Sequence, residues 1–307
     1  MTRGLISIFA LPQEIDDLHL TLYNLKRNMA MLPHDIEMDI HITFCPSEEL
    51  TDWNATNISP SYFTSKFNSL RPLMDWSKNP KIHIEYNGGI LGCVSHRRDA
   101  LQYTSQYDFT IWLDCDMFFG DHTILYLASS YKAAKDKGYS NFIITPQFVR
   151  QWDASWDAVV HDNYKQHKLM YHEEADIVSD VLYDYGDVSL VPLNDFKFAG
   201  GWCTLLSNDL LKLIGIPESL GHYGLEDTFI VEACKMLSSK GLRDGARDNR
   251  PIQFVLNNHI VGENYLYRCN STLKKFVVSK NRKEEFRTVA TSNFRNELLA
   301  FKQRMGI

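Results

Sequence analysis

Asp114 and Asp116 stand two residues apart in "TIWLDCDMFFGD" (Thr110 to Asp121). Ile111, Trp112 and Leu113 before them are residues of a buried strand, and Met117, Phe118 and Phe119 follow at once. Two carboxylates beside so much apolar surface are costly to bury unless a cation neutralises them. A pair at i and i+2 after a strand turns two oxygen ligands into one cleft. Carboxylate oxygens with open positions suit Mg²⁺ or Mn²⁺, which also take water and phosphate oxygens. A metal held there would bridge to the diphosphate of a nucleotide and neutralise charge as that bond breaks. The plainer alternative is that both aspartates cap the strand, or the helix near His122, since aspartates are common in turns.

The surrounding pattern supplies a scaffold for such a pair. "LISIFAL" (Leu5 to Leu11) reads as a strand, followed by a helix from Glu14 to Met31 with Leu18, Leu22, Leu25 and Met29 on one face. "MDIHITFC" (Met38 to Cys45) and "KIHIEYN" (Lys81 to Asn87) are further strands, with a helix from Val94 to Ser105 after the second. Asp52 to Asn79 shows no clean period and reads as a long loop or insertion. The aspartate-bearing strand comes next, then a helix from His122 to Lys137 and the strand "NFIIT" (Asn141 to Thr145). This alternation predicts an α/β fold with a doubly wound, mostly parallel sheet. Ligands bind such sheets outside the carboxyl ends of the strands, where Asp114 and Asp116 fall.

Bulk properties exclude several classes. A formal net charge of −6 argues against nucleic acid as the main ligand. Cys45, Cys93, Cys115, Cys203, Cys234 and Cys269 form no CxxC pair, which argues against a zinc site or a disulfide framework and fits a reducing cytosol. The apolar run at the N-terminus is too short for a signal peptide, and no segment reaches transmembrane length. The expectation is a soluble, cytoplasmic protein, peripheral at a membrane at most. The sequons at Asn54, Asn57 and Asn270 then read as chance matches.

Downstream, "FKFAGGWCTLLSNDLLKLIGIPESLGHYGLEDTFI" (Phe196 to Ile230) places a glycine pair before a strand and a helix, then a G-x-x-E-D-like acidic segment opening another helix. With "WLDCDM" ahead of it, this order resembles the metal-dependent nucleotide-sugar glycosyltransferases of the GT-A fold. The resemblance implies that Asp116 is a direct metal ligand and that Asp114 contacts the ribose or the metal. It implies that Asp227, or its neighbour Glu226, takes the acceptor hydroxyl's proton as it attacks the anomeric carbon. Their plainer reading is as first-turn acids favoured by the helix dipole. Gly200 and Gly201 would let the backbone approach the donor sugar, or mark a bulge. His259, at the end of the strand-like "IQFVLNNHIVGEN", would complete the metal site and favour Mn²⁺ over Mg²⁺. His222 is the competing histidine.

In "GGILGCVSHRRDA", Arg97 or Arg98 would meet the diphosphate and the other would be a solvated helix residue. Ala10 to Pro12 would face the base, as would Pro46 to Glu48. "FCPSEEL" departs from the family's frequent Asp-Asp-x-Ser pattern, so a UDP-sugar and a GDP-sugar both stay open. The aromatic stretch from Gln147 to Tyr185 is a candidate acceptor platform. The basic tail from Tyr265 to Arg287 would fold over the diphosphate or meet an anionic lipid, or be a solvated face. One glycosyltransferase domain is expected: a nucleotide-binding half at 1–121, an acceptor-side half with a smaller sheet and helical insertions at 122–262, and a tail at 263–307. The implied reaction moves a hexose or pentose to a hydroxyl of a glycan, lipid or protein. Inversion is the simplest outcome and retention the alternative. Two rivals are a haloacid-dehalogenase-type phosphatase, disfavoured by Phe118 and by the motif's late position, and an inactive sugar-binding module.

Overall fold

The runs TRGLISIFA and IEMDIHITF form the two longest strands, β1 (Thr2–Ala10) and β2 (Ile36–Phe44). They pair in parallel from Thr2 against Ile36 to Ala10 against Phe44. Side chains alternate between faces at period two. Ile6, Ile8, Ala10, Ile40, Ile42 and Phe44 therefore share one face, where they join Leu18, Leu22 and Leu25 of helix α1 (Ile15–Ala30) in one core. The opposite face carries Ser7, His41 and Thr43, all buried.

The computed structural model describes residues 1–55, 57–146, 148–152, 165–168, 189–191, 201–239, 243–244, 250–251, 254–257, 266–269 and 280–307. Further strands are β3 (Lys81–Ile84), β4 (Phe109–Leu113), β5 (Met117–Phe118), β6 (Ile143–Pro146), β7 (Phe148–Trp152), β8 (Lys165–Lys168), β9 (Ser189–Val191) and β10 (Cys203–Ser207). Then come β11 (Arg243–Asp244), β12 (Arg250–Pro251), β13 (Phe254–Asn257) and β14 (Leu266–Cys269). Among the described residues an eight-stranded sheet runs in the order β3-β2-β1-β4-β10-β6-β13-β9. β3, β2, β1 and β4 are mutually parallel, as is β6 with β13, whereas β10 runs antiparallel between β4 and β6. A smaller four-stranded sheet has the order β5-β14-β7-β8. The fold is thus the α/β arrangement that the alternation predicts, mostly parallel with a second small sheet. No helix among the described residues is long and apolar enough to cross a membrane.

Two local expectations need correction. Asp52–Asn79 is not a structureless loop: it contains helix α2 (Pro60–Ser69) between short 3-10 turns at Trp53–Ala55 and Arg71–Met74. The Ser59 side chain accepts from the Tyr62 N–H, and Pro60 occupies the first turn, where its missing donor costs nothing. Only Phe63 and Phe67, one turn apart, are buried, too short a stripe for a clear period. The helix expected from Val94 to Ser105 is instead α3 (Cys93–Ala100), tightening into a 3-10 turn at Leu101–Tyr103.

The remaining helices are α4 (Thr123–Asp136), α5 (Asn208–Ile214), α6 (Glu226–Ser239) and α7 (Lys280–Arg304). The C-terminal tail therefore ends in a long helix. It docks on α6 through Phe294 and Phe301, which meet Phe229 edge-on at 6.4 and 6.1 Å. Arg304 and Asn293 also donate to the carbonyls of Ile214 and Ser219. This docking brings the first turns of α7 towards the sheet's strand ends.

Candidate active site

β4 stops at Leu113, and the backbone N–H of Asp114 donates to the Trp202 carbonyl at 3.0 Å, extending the pairing of β4 with β10. The turn that follows is fastened to α1 by Thr21. The Met117 N–H donates to the Thr21 hydroxyl at 3.1 Å, which itself lies 2.8 Å from the Cys115 carbonyl and 2.7 Å from that of Met117. On its other side the Cys115 thiol sits 3.2 Å from Glu14 Oε2, an oxygen that also accepts the Leu11 N–H. A turn held this way delivers Asp114 and Asp116 in fixed positions. Asp116 is buried and the Asp114 side chain is about one-fifth exposed.

Both aspartates line a cleft of about 360 Å³. Its centre is Arg97 of α3, a buried guanidinium stacked 4.8 Å over the Trp112 ring. Arg97 Nη2 donates to Asp114 Oδ1 at 3.1 Å and to the Gly201 carbonyl at 2.8 Å, while Nη1 pairs with Glu226. Burial opposes the charge on Arg97, but the carboxylates of Glu226, Asp114 and Asp227 around it more than restore it, so its pKa is raised. For Glu226 burial wins. Its carboxyl is pushed up to about 6 by desolvation, against the pull of Arg97 and with Asp227 adding to the rise. Burial also keeps the Cys93 thiol well above its ordinary range.

Gly201 explains the close fit. A Cβ there would lie 2.1 Å from Arg97 Nη1 and 2.2 Å from Nη2. Its N–H donates to Asp227 Oδ2 at 3.3 Å, and Asp227 Oδ1 accepts from the Thr228 N–H at 2.6 Å. Glu226 and Asp227 occupy the first turn of α6, where the helix dipole favours carboxylates. The approach to that turn is unusual. Gly224 has φ 96° and Leu225 φ 69°, and a branched residue in the left-handed region stores on the order of 1–2 kcal/mol. From α7, Lys283 and Arg287 complete the lining.

The residues singled out from sequence fall into three groups. Asp114, Asp116, Arg97, Gly201, Glu226 and Asp227 come together in the cleft, with Lys283 and Arg287 of the basic tail beside them. Others are placed elsewhere. Arg98 donates to the carbonyls of Pro217 and Gly221 at 2.9 and 2.7 Å, so it clips a loop and is neither on the cleft nor a merely solvated residue. Ala10 is packed in the core and Pro12 is buried in a 3-10 turn, and their neighbours Phe9 and Leu11 line the cleft instead. Strand alternation accounts for Ala10 facing away from Phe9. His222 does not line the cleft; its Nδ1 lies 3.3 Å from Ser95 Oγ. Gly200 and His259, and most of the aromatic stretch, lie outside the described residues. Glu14, Thr21, Tyr223 and Leu225 were not singled out, and no local pattern marks any of them.

The donor set fits a hard divalent cation. Among the described residues, the carboxylates of Glu14, Asp114, Asp116, Glu226 and Asp227 line the cleft together with Arg97, Lys283 and Arg287. Carboxylate oxygens are the ligands Mg²⁺ and Mn²⁺ prefer, and the raised pKa of Cys93 withholds the thiolate that softer metals take.

No protein-family model matches this sequence, and comparison with curated proteins finds no match. Several solved structures are similar in chain trace. TarS from S. aureus aligns with a TM-score of 0.49 at 14% identity, over 95% of this chain and 39% of that one. A 1–349 form of TarS in complex with UDP-GlcNAc gives a TM-score of 0.49 at 16% identity, over 98% of this chain and 71% of that one. GalNAc-T7 with UDP, GalNAc and Mn²⁺ gives 0.46 at 12% identity, over 88% of this chain and 44% of that one.

Proposed function

We propose that this chain is a nucleotide-sugar glycosyltransferase of the GT-A type, dependent on Mn²⁺ or Mg²⁺. It would transfer a hexose or pentose from a UDP- or GDP-sugar to a hydroxyl of a glycan, lipid or protein. The observation that carries the reading is the cleft itself. A carboxylate pair at a parallel strand end and a second acidic pair at a helix N-terminus face one space, joined by the buried Arg97.

In this reading Asp116 is a metal ligand and Asp114, already held by Arg97, contacts the metal or the ribose. A bound divalent ion would neutralise the leaving diphosphate as charge develops on it. Lys283 and Arg287 add fixed positive charge at the same lining, suited to phosphate oxygens. On the acceptor side Asp227 takes the hydroxyl proton as the oxygen attacks the anomeric carbon, in a single displacement with inversion. Its Oδ1 and Oδ2 accept the N–H groups of Thr228 and Gly201, which fixes the carboxylate while leaving lone pairs for the acceptor. Glu226 has a different role: buried and paired with Arg97, it orients the guanidinium.

The test is a mass-spectrometric screen of UDP- and GDP-sugars with Mn²⁺, run on the wild-type protein and on Asp116→Ala. Metal-dependent loss of one sugar nucleotide, abolished in the variant and by EDTA, is the expected result. Turnover that persists in EDTA and in Asp116→Ala refutes the metal assignment. Metal-stimulated release of phosphate from a sugar phosphate, with every sugar nucleotide left intact, would favour the phosphatase.

A further inference from the structure

A second polar cluster lies under α3, on the sheet face that carries Ser7, His41 and Thr43. His41 has no solvent exposure. Its ring stacks on His96 of α3 at 4.4 Å and 16°, and meets His83 of β3 edge-on at 5.5 Å. His96 is fully occupied, with one ring nitrogen 2.8 Å from Ser7 Oγ and the other 2.9 Å from Thr43 Oγ1. His41 is not. Among the described residues neither of its ring nitrogens has a hydrogen-bond partner, and the same holds for the buried His83 Nε2 and Asp99 Oδ2. His41 Nε2 and Asp99 Oδ2 lie 3.2 Å apart without the alignment of a hydrogen bond. One ligand atom from each of His41, His83 and Asp99 lies within 4.8 Å of the other two.

Each buried polar atom left unmet costs about 1–3 kcal/mol. Several of them converging on one point call for a shared partner. We propose that His41, His83 and Asp99 bind one Zn²⁺ ion, at a site separate from the Asp114–Asp116 cleft, and that this ion ties α3 to β2 and β3. None of the three residues lines the cleft. Two imidazole nitrogens and a carboxylate oxygen are a zinc donor set, whereas Mg²⁺ and Ca²⁺ take oxygens alone. Zinc bonds of about 2.0–2.1 Å set tetrahedral ligands about 3.3–3.5 Å apart. The His41–Asp99 edge already has about that length, and the other two lie within 4.8 Å.

The surroundings agree. Burial holds His41 below the ordinary imidazole range, with His83 and Lys81 adding to the effect and Asp99 opposing it. The neutral ring is the form that binds a metal. β3 is the edge of the sheet and the Asp99 side chain is 27% exposed, so an ion and the water completing its shell have a way in.

The experiment uses the full chain, stripped with chelator and titrated with Zn²⁺ alone, with stoichiometry by elemental analysis and affinity by calorimetry. Wild type should hold one tightly bound zinc per chain. His83→Ala and Asp99→Asn, both partly exposed and checked for folding by circular dichroism, should each weaken it at least tenfold, while Asp116→Ala keeps it. Either of two results overturns the proposal. One is a wild-type chain that takes up no zinc, as when a buried water fills the site. The other is zinc that is retained undiminished in both cluster variants, since the ion then sits elsewhere: in the cleft if Asp116→Ala loses it, outside both sites if that variant keeps it.

Discussion

Gly201→Ala removes no functional group, yet it should behave as a lesion of Arg97. The added methyl would sit 2.1, 2.2 and 2.3 Å from Nη1, Nη2 and Cζ of that guanidinium, far inside contact distance. A flexible arginine would simply move. This one is buried, stacked on Trp112, and bonded to Asp114, Glu226 and the Gly201 carbonyl, so any shift breaks several contacts together. Breaking one buried ion pair while leaving the partner charge buried costs about 3–5 kcal/mol. At about 2 °C per kcal/mol for a chain of this length, the melting temperature should fall by about 6–10 °C. The control is Gly89→Ala, whose Cβ would meet only the end of the Glu85 side chain, at 3.3 Å, and which should stay within about 0.5 kcal/mol of wild type. Calorimetric melting of both variants, followed by turnover of the best donor from the screen, makes the comparison. If Gly201→Ala melts and turns over like Gly89→Ala, the packing of Arg97 against the 201 backbone does not hold the cleft together.

Asp227→Asn should lose most turnover while donor affinity stays within about threefold, because the amide keeps the volume but cannot take a proton. NMR of the wild-type product anomer accompanies it, and a product with the donor's own configuration rules out Asp227 as base of a single displacement. Glu226 should impose an acid limb. Its carboxylate form holds Arg97, so activity is present above about pH 6 and falls as pH drops through that value. Glu226→Gln should be slower at every pH and lack that limb, and a pH–rate profile with the limb intact in the variant assigns it to another group. Lys283→Ala with Arg287→Ala should raise the donor KM about tenfold or more with little change in melting temperature, since truncating two cleft-lining cations removes charge but little packing. An unchanged KM places the diphosphate elsewhere.

How much of this was legible in the sequence depends on the range of the interaction. The strand before Asp114 and the helix after Glu226 declare themselves by local apolar periodicity, and so does the parallel half of the sheet. The acids and Gly201 were therefore visible as candidates. Their connection was not. Arg97 and Glu226 are 129 positions apart in the chain, and no local pattern records that one neutralises the other. The glycine at 201 could be noticed from sequence, but its reason could not, because the clash it avoids is with a side chain on another element. Arg97 and Arg98 look equivalent in sequence, and helix geometry separates them. Successive residues point about 100° apart, so one enters the cleft and the other reaches the 217–221 loop. The antiparallel insertion of β10 is likewise invisible to period counting, since strand direction leaves no trace in hydrophobic alternation.

That same geometry makes α3 the part on which both halves of the cleft depend. Over Cys93–Ala100 it sends Arg97 to the aspartate strand, Arg98 to the loop ahead of α6, and His96 and Asp99 to the polar face of β1–β3. At its start, Gly92 lets the chain pass so close to the His222 carbonyl that a Cβ would lie 2.0 Å away, and the Val94 N–H donates to that carbonyl at 3.1 Å. The segment so gripped runs directly into Gly224, Leu225 and the acids of α6. A displacement of α3 would therefore move the Arg97 guanidinium and the turn at Gly224 and Leu225 together. The strain held at Leu225 is tolerable because that turn is gripped from outside by α3 and by the docked α7, not by its own propensity. Gly92 and Arg98, neither of which lines the cleft, thus help to hold the two acidic pairs in place.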